Sequence, residues 1–196
     1  IVTNAKRIQD RVREIADAVK GVTSPPHFVP CQILDIVEGV YETLRTYAKE
    51  KGIALNTANL EALPLVEGDE RRLFNALYNL VNNAIPEIPR GGSVTIRGEK
   101  GTNPDTIDLA VVDTGRGMPA EVRDRLFTPQ AISTKKTGTG LGTKIVKDAI
   151  DLHHGQIRVE SEEGKGTTFH IRLPILQKAS SQTNVQVHSQ QKEASS

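Results

Sequence analysis

One stretch, residues 108–143, most constrains what this chain can fold into. An apolar segment of strand type, 109–112, ends on the carboxylate of Asp113, and glycines follow at positions 115 and 117. A buried strand that ends on one acid and then on glycines suits a pocket in which backbone closely approaches a flat ligand. A second glycine cluster at 138–142 opens a helical pattern, and the free N–H groups of a helix start favour phosphate. The two clusters therefore predict the two ends of a nucleotide site, with the base at Asp113 and the phosphates at 138–142.

Composition excludes several other classes of protein. The formal net charge is +1 and aromatic residues make up 4% of the chain, so the sequence indicates no nucleic-acid partner. The single cysteine, Cys31, excludes an internal disulfide framework and a cysteine-based zinc site. No apolar run approaches the ~20 residues of a membrane helix, and the chain begins at Ile1 without a signal peptide. We therefore expect a cytoplasmic piece of a longer protein, whose sensory part could lie in a membrane.

The first segment, 1–23, has apolar residues at alternating spacings of four and three, with charged residues between them. This heptad pattern predicts a coiled-coil-like helix, which either packs on its own domain or pairs in a bundle or dimer. Ser24 and two prolines then break the helix, so 24–29 is predicted to be a linker. The seam residues are Ile1, Ala5, Ile8, Val12, Ile15, Val19 and Val22.

A single domain is predicted over 30–175, followed by a disordered polar tail at 176–196. Helical periodicity predicts helices over 30–51, 69–84, 119–127 and 141–153, with Asp69 as a possible cap of the second. Alternation and turn residues predict strands at 53–56, 93–98, 106–112, 156–160 and 167–173, of which the last four form two hairpins. This order predicts an α+β fold, a two-layer α/β sandwich with one mixed, mainly antiparallel sheet and helices on one face.

The second helix of this domain carries four asparagines, two of which, Asn79 and Asn83, lie one turn apart on one face. Amide oxygens at that spacing suit Mg²⁺, whose other ligands are commonly waters and nucleotide phosphates. The alternative is that the asparagines simply solvate the helix surface. Four of them in a short helix are unusual, because asparagine is a mediocre helix former.

Two patterns point to other readings and are weaker. The run 115–120 matches G-x-G-x-x-A after a strand, as in dinucleotide-binding folds, but Pro119 interrupts the expected helix and no acid follows at the required distance. The run 162–167 is, in isolation, an ordinary hairpin turn. No G-x-x-x-x-G-K-[ST] phosphate loop occurs in the chain.

Taken in order, the motifs resemble the N, G1, G2 and G3 boxes of the histidine-kinase ATPase domain. They are Asn79-x-x-x-Asn83, Asp113-x-Gly115-x-Gly117, Gly138-x-Gly140-x-Gly142 and Gly164-x-Gly166-Thr167. That family shares a superfamily, GHKL, with gyrase, the mismatch-repair ATPases and the heat-shock chaperone ATPase, and the resemblance implies their Bergerat fold. It covers about 30–174, and 1–22 is similar to the second helix of the dimerisation and phosphotransfer hairpin that precedes such domains.

The resemblance also implies roles for individual residues. Asp113 would accept a hydrogen bond from the adenine amino group, with Thr167 beside it, and Gly115 and Gly117 would let the backbone pass close to the base. Asn83 would hold Mg²⁺, with Asn79 near the metal and the phosphates in a catalytic position. Further nucleotide contacts are implied along both loops, at Met118, Thr134, Lys135, Gly138, Thr139, Gly140, Leu141, Gly142 and Thr143.

Other positions depart from the family pattern. Pro86 and Glu87 stand where relatives often carry an acid or a basic phosphate contact. The lid segment 127–135 has Gln130 where relatives prefer an aromatic residue. Lys135 is our candidate for a γ-phosphate contact and a catalytic role, with a solvated lysine as the alternative. No histidine of the chain is followed by an acid on a helix, so the phosphoacceptor histidine is expected elsewhere.

These observations predict the catalytic domain of a two-component sensor histidine kinase. It would use ATP and Mg²⁺ to phosphorylate a histidine on its own or a partner's dimerisation helix, within a homodimer, for relay to a response regulator receiver domain. The alternatives are a mechanical GHKL ATPase, an anti-sigma serine kinase and a pseudokinase that serves as an interaction module. Asn79 counts against the first, because related ATPases carry a water-activating glutamate there, and the seam helix counts against the second.

Overall fold

The computed structural model describes residues 25–128 and 141–176. The helix predicted for 1–23, most of the lid and nearly all of the polar tail lie outside the described residues. The strands are β1 Val29–Cys31, β2 Ala54–Ala58, β3 Val66–Gly68, β4 Ser93–Lys100, β5 Thr106–Asp113, β6 Gln156–Glu162 and β7 Gly166–Pro174. The helices are α1 Ile33–Lys51, α2 Glu70–Ala84, α3 Ala120–Arg125 and α4 Leu141–Leu152, with a 3₁₀ turn at Ile85–Glu87.

Five strands form the main sheet, in the order β2-β4-β5-β7-β6. β2 pairs with β4 in parallel, and the other three pairs are antiparallel. β4 and β5 form one predicted hairpin and β6 and β7 the other, joined in the centre of the sheet by the pairing of β5 with β7. The predicted mixed, mainly antiparallel sheet is therefore confirmed.

The helices α1, α2 and α4 cover one face of this sheet. Alternate residues of β4, β5 and β7 point into the apolar core beneath them, and the intervening residues face the other side of the sheet. On that other side Arg172 donates two hydrogen bonds to Asp108 on the neighbouring strand, at 2.6 and 2.9 Å. The largest fully buried core side chains include Ile33, Ile36, Leu60, Ile85, Ile96, Ile107, Ile150, Ile171 and Leu173.

The prediction of a helix from residue 30 was wrong at its start. Val29–Cys31 is a strand that pairs antiparallel with Val66–Gly68, and α1 begins only at Ile33. Proline at position 30 suits an edge strand, because its missing N–H costs no ladder hydrogen bond there. This small second sheet was not predicted, since each of its strands has only three residues and gains its stability from the other.

The ends of α2 match the sequence signals. Asp69 caps its N-terminus and accepts a hydrogen bond from the Arg72 N–H at 3.0 Å, which confirms the predicted cap. At the other end, Pro86 lies two residues beyond Ala84, and the chain tightens into the 3₁₀ turn. That turn carries Glu87 to the glycine loop that follows β5.

Candidate functional site

Three polar side chains lie side by side at one end of the core face of the sheet. β7 lies between β5 and β6, and its residue Thr167 is directly opposite Asp113 on β5 and Ser161 on β6. Residues directly opposite in neighbouring strands project to the same face. The next inward position on each strand is apolar, with Val111 and Val159 among them. The row is therefore a polar wall where the apolar core ends.

Asp113 is the most constrained residue of this wall. It is 8% exposed, and its Oδ1 accepts the backbone N–H of Gly115 at 2.8 Å and that of Thr167 at 3.3 Å. Within the described part of the chain, both hydrogen bonds to the carboxylate go to Oδ1, which leaves Oδ2 for another donor. Burial raises the pKa of Asp113, with a smaller rise from nearby Glu87, although the two backbone hydrogen bonds lower it. A ligand that donates a hydrogen bond to Oδ2 would offset part of the free-energy cost of burying the charged carboxylate.

The glycine loop after β5 is held against the hairpin of β6 and β7. The Met118 N–H donates to Ser161 Oγ at 2.9 Å, and the Gly164 N–H donates to the Arg116 carbonyl at 2.7 Å. Gly117 has φ +67°, and a side chain there would run into the carbonyl of Glu162. Both facts require glycine at this position. The structure thus brings Gly115, Gly117 and Met118 beside Asp113 and Thr167.

Glu87 joins the glycine loop to the end of α2. Its carbonyl accepts the Arg116 N–H at 3.1 Å, and its carboxylate pairs with Arg116 Nε at 2.7 Å. A side chain at Gly115 would also come within 3.1 Å of the Glu87 carbonyl. Glu87, one of the two residues that depart from the family pattern, therefore links the end of the asparagine helix to the glycine loop.

The asparagine helix meets Gly142, the last residue of the second glycine cluster. Asn79 is 6% exposed, and its Nδ2 donates to the Asn75 carbonyl at 2.8 Å. Its Oδ1 faces Gly142 in the first turn of α4, because a Cβ built there would lie 3.1 Å from Asn79 Oδ1 and 3.2 Å from Asn83 Nδ2. The two asparagine amides and the start of α4 thus form one polar cluster. Thr143 follows in the same turn, and Leu141 begins the helix.

The remaining predicted site residues, Thr134, Lys135, Gly138, Thr139 and Gly140, lie outside the described residues. Within 25–128 and 141–176 no group of three or more His, Cys, Asp and Glu side chains could hold a metal ion. A cation at the asparagine pair would need amide, water and phosphate oxygens as its ligands.

Sequence reasoning missed Ser161, and it named Glu87 only as a departure from the family pattern, without its contacts to the glycine loop. Ser161 had a usable signal, because it continues the inward positions of Ile157 and Val159 and is the first polar residue among them. Glu87 had none, since its contacts come from a segment almost 30 residues further along the chain.

Comparisons with known proteins agree with this geometry. The model of the family described as histidine kinase-, DNA gyrase B-, and HSP90-like ATPase matches residues 68–177, more than half of the chain. The chain therefore belongs to that family. Within it, the chain is 34% identical over 170 residues to the sensor histidine kinase ZraS of Salmonella typhi, a match that covers 85% of this chain and 36% of ZraS.

Solved structures that resemble this chain are also histidine kinases. The catalytic domain of the histidine kinase ThkA matches with a TM-score of 0.66 at 28% identity, covering 76% of this chain and 95% of that one. Full-length ShkA in complex with AMPPNP matches with a TM-score of 0.74 at 25% identity, covering 91% of this chain and 38% of that one. The predicted fold and the predicted histidine-kinase type of ATPase domain are thus confirmed.

The chain spans about a third of the length of the ZraS relative, 36%. In the described residues no helix is both long and apolar enough to span a membrane.

Proposed function

We propose that this chain binds Mg·ATP and presents the γ-phosphoryl group for transfer to a histidine on a dimerisation helix. The buried Asp113 carboxylate carries the proposal. One oxygen is held by two backbone N–H groups, and the other remains for a ligand donor at the end of a glycine-lined loop. The exocyclic amino group of adenine is such a donor. Guanine has a carbonyl at that place, which would put two acceptors against each other, so the site should select adenine.

The asparagine pair supports the proposal at the phosphate end. Asn79 and Asn83 meet the first turn of α4, and the N-terminal turn of a helix attracts an anion. Amide oxygens are hard ligands, so the pair fits a Mg²⁺ ion that also binds phosphate oxygens, with Asn83 as its protein ligand. When bound, the ion neutralises charge that develops on the phosphates during transfer. The chain's own part is to orient the triphosphate between α2 and α4.

Asn79 favours transfer to a protein over hydrolysis. An amide cannot take a proton from water, and Asn79 already donates its Nδ2 hydrogen to the Asn75 carbonyl. The bound ATP would therefore persist until a histidine is presented. We assign Lys135, Thr134 and the glycines at 138 and 140 to the γ-phosphate side on the family pattern alone.

The acceptor is proposed to lie on another helix, of the same or a partner chain. His153 uses both ring nitrogens inside the fold, with Asp69 and Ala149. His170 lies in β7, 3.3 Å from Glu160, and no described histidine stands on an exposed helix next to an acid in the family's manner. A homodimer and a response regulator receiver domain complete the proposed pathway, as in two-component systems.

Calorimetric titration with ATP and GTP, with and without Mg²⁺, tests the binding proposal. We expect ATP to bind, GTP to bind at least tenfold more weakly, and Mg²⁺ to strengthen ATP binding. Equal affinity for both nucleotides would contradict the Asp113 assignment. Radiolabelled ATP with the full-length protein tests transfer. Tight ATP binding without phosphohistidine would favour a pseudokinase, and rapid phosphate release would favour a mechanical ATPase.

A further inference from the structure

Ser161 connects three parts of the base end of the site through one hydroxyl group. Its Oγ is 2.9 Å from the Met118 N–H nitrogen, 3.0 Å from the Gly166 carbonyl and 3.0 Å from the Thr167 hydroxyl. These partners belong to the glycine loop, the start of β7 and the polar wall beside Asp113.

Counting hydrogens fixes the direction of each bond. A serine hydroxyl has one hydrogen to donate and two lone pairs to accept with. The Gly166 carbonyl can only accept, and the Met118 N–H can only donate. All three bonds form together only if Ser161 donates to Gly166 and accepts from both Met118 and Thr167. The Thr167 hydroxyl hydrogen is then committed to Ser161.

As a consequence, Thr167 presents only lone pairs, and no hydrogen, to a ligand at the polar wall. Its backbone N–H is already given to Asp113 Oδ1, and its hydroxyl hydrogen to Ser161. Next to it, Asp113 Oδ2 is likewise an acceptor. Thr167 is 8% exposed, so water competes little for these positions. The wall therefore offers acceptors and no donor to the edge of a ring.

We propose that Ser161 is a positioning residue that sets base selectivity by holding the Thr167 hydroxyl in its acceptor orientation. The inference rests on the proposed ATP site and deepens it. Without Ser161 the Thr167 hydroxyl turns freely and donates to a ring carbonyl. The site then accepts a 6-oxo purine. The intact wall excludes such a purine, because a buried acceptor that faces a carbonyl leaves both groups unpaired.

The test compares Mg·ATP with Mg·ITP, which has a carbonyl in place of the amino group. Affinities are measured by calorimetry for the wild type and for Ser161→Ala. We expect the wild type to prefer ATP strongly, and Ser161→Ala to reduce the ATP-to-ITP affinity ratio about tenfold, with a smaller fall in ATP affinity. Ser161→Thr keeps the hydroxyl and should restore the ratio. Thr43→Ala deletes an exposed hydroxyl that bonds Gly39 on α1, and should change neither affinity.

Two results separate the inference from the proposed function. A wild type that fails to prefer ATP contradicts the adenine site and this inference with it. A wild type that prefers ATP, with Ser161→Ala lowering both affinities by the same factor, shows a structural role only and overturns this inference alone.

A second variant, Thr167→Val, tests the inference by itself, even if Ser161→Ala does not fold. Thr167→Val removes the hydroxyl but keeps the shape of the side chain. It should also lower the ATP-to-ITP ratio, and in its background Ser161→Ala should cause no further change, because the two residues act through one hydroxyl. An unchanged ratio in Thr167→Val overturns the proposal.

Discussion

His153 Nε2 accepts the backbone N–H of Asp69 at 2.9 Å. On the other side of the ring, Nδ1 lies 2.6 Å from the Ala149 carbonyl, to which it donates its hydrogen. The imidazole is 3% exposed and is neutral in this arrangement, because a proton on Nε2 would face the Asp69 N–H. His153 thus ties the end of α4 to the cap of α2, two helices whose other ends carry Gly142 and the asparagine pair.

The stability of the domain should depend on pH through His153. Burial lowers its pKa from the usual value of 6.5, although the bond to Ala149 and the charge of Asp69 raise it. Between the folded value and 6.5 the unfolded chain binds more protons, so the free energy of unfolding rises with pH in that window. The contribution is complete above the unfolded pKa and is lost as the pH falls through the folded one.

Urea unfolding at several pH values from 7.5 to about 5 measures this dependence. In His153→Leu the slope over this window should be smaller, and stability at pH 7.5 should fall by ~1–3 kcal/mol, because the Asp69 N–H loses its partner. His154→Asn is the control, since His154 is an exposed neighbour with φ +54°, a conformation that asparagine tolerates. If His153→Leu keeps the wild-type slope, the slope does not come from His153.

Asp113→Asn should remove most of the affinity for ATP. The amide keeps the shape of the side chain but can turn a donor toward the adenine amino group, leaving both unpaired. The expected loss is ~1–3 kcal/mol, or about 5- to 150-fold in affinity. Calorimetry measures it, with Asp105→Asn in the exposed turn between β4 and β5 as control. Unchanged ATP affinity would show that the base does not contact this carboxylate.

Asn83→Ala should weaken ATP binding only when Mg²⁺ is present. If Asn83 ligates the metal, the variant loses that ligand. Binding of ATP without Mg²⁺ does not involve the ligand and should be nearly unchanged. We expect about a tenfold loss of affinity with Mg²⁺ and less than twofold with EDTA, both by calorimetry. Asn82→Ala, on a different side of α2, should change neither value. An equal loss with the chelator would reject the metal role.

Gly142→Ala should impair nucleotide binding and leave the fold intact. The added methyl group would lie 3.1 Å from Asn79 Oδ1 and 3.2 Å from Asn83 Nδ2, so the asparagine amides must shift. We expect Mg·ATP affinity to fall at least tenfold, because the shift misplaces the metal ligand. Gly39→Ala on α1 is the matched control, since its methyl meets only Phe74 at 3.4 Å. The melting temperatures of both variants should stay near the wild-type value. If Gly142→Ala is folded and still binds ATP normally, the placement of phosphate at this turn is contradicted.

The limits of the helices and strands could be predicted where local chemistry decides them. Asp69 caps α2, Gly52 ends α1 with φ +71°, and Pro86 closes α2. Alternation predicted β4 to β7, because one face of each strand is more buried than the other. The start of α1 could not be predicted, because Pro30 and Cys31 form a strand only through their pairing with Val66 and Glu67.

The sequence by itself determined the order of the site: two asparagines one helical turn apart, an acid at the end of an apolar strand, and glycines where backbone approaches closely. These depend on residue type and on short spacing, so they can be read locally. Tertiary structure decided which of them meet. Gly142 lies at Asn79, Ser161 accepts the Met118 N–H, and His153 accepts the Asp69 N–H. Packing α4 on α2 and folding the glycine loop against the hairpin of β6 and β7 bring together these residues, which are distant in the chain. No local rule specifies such contacts, since they depend on register and on helix packing.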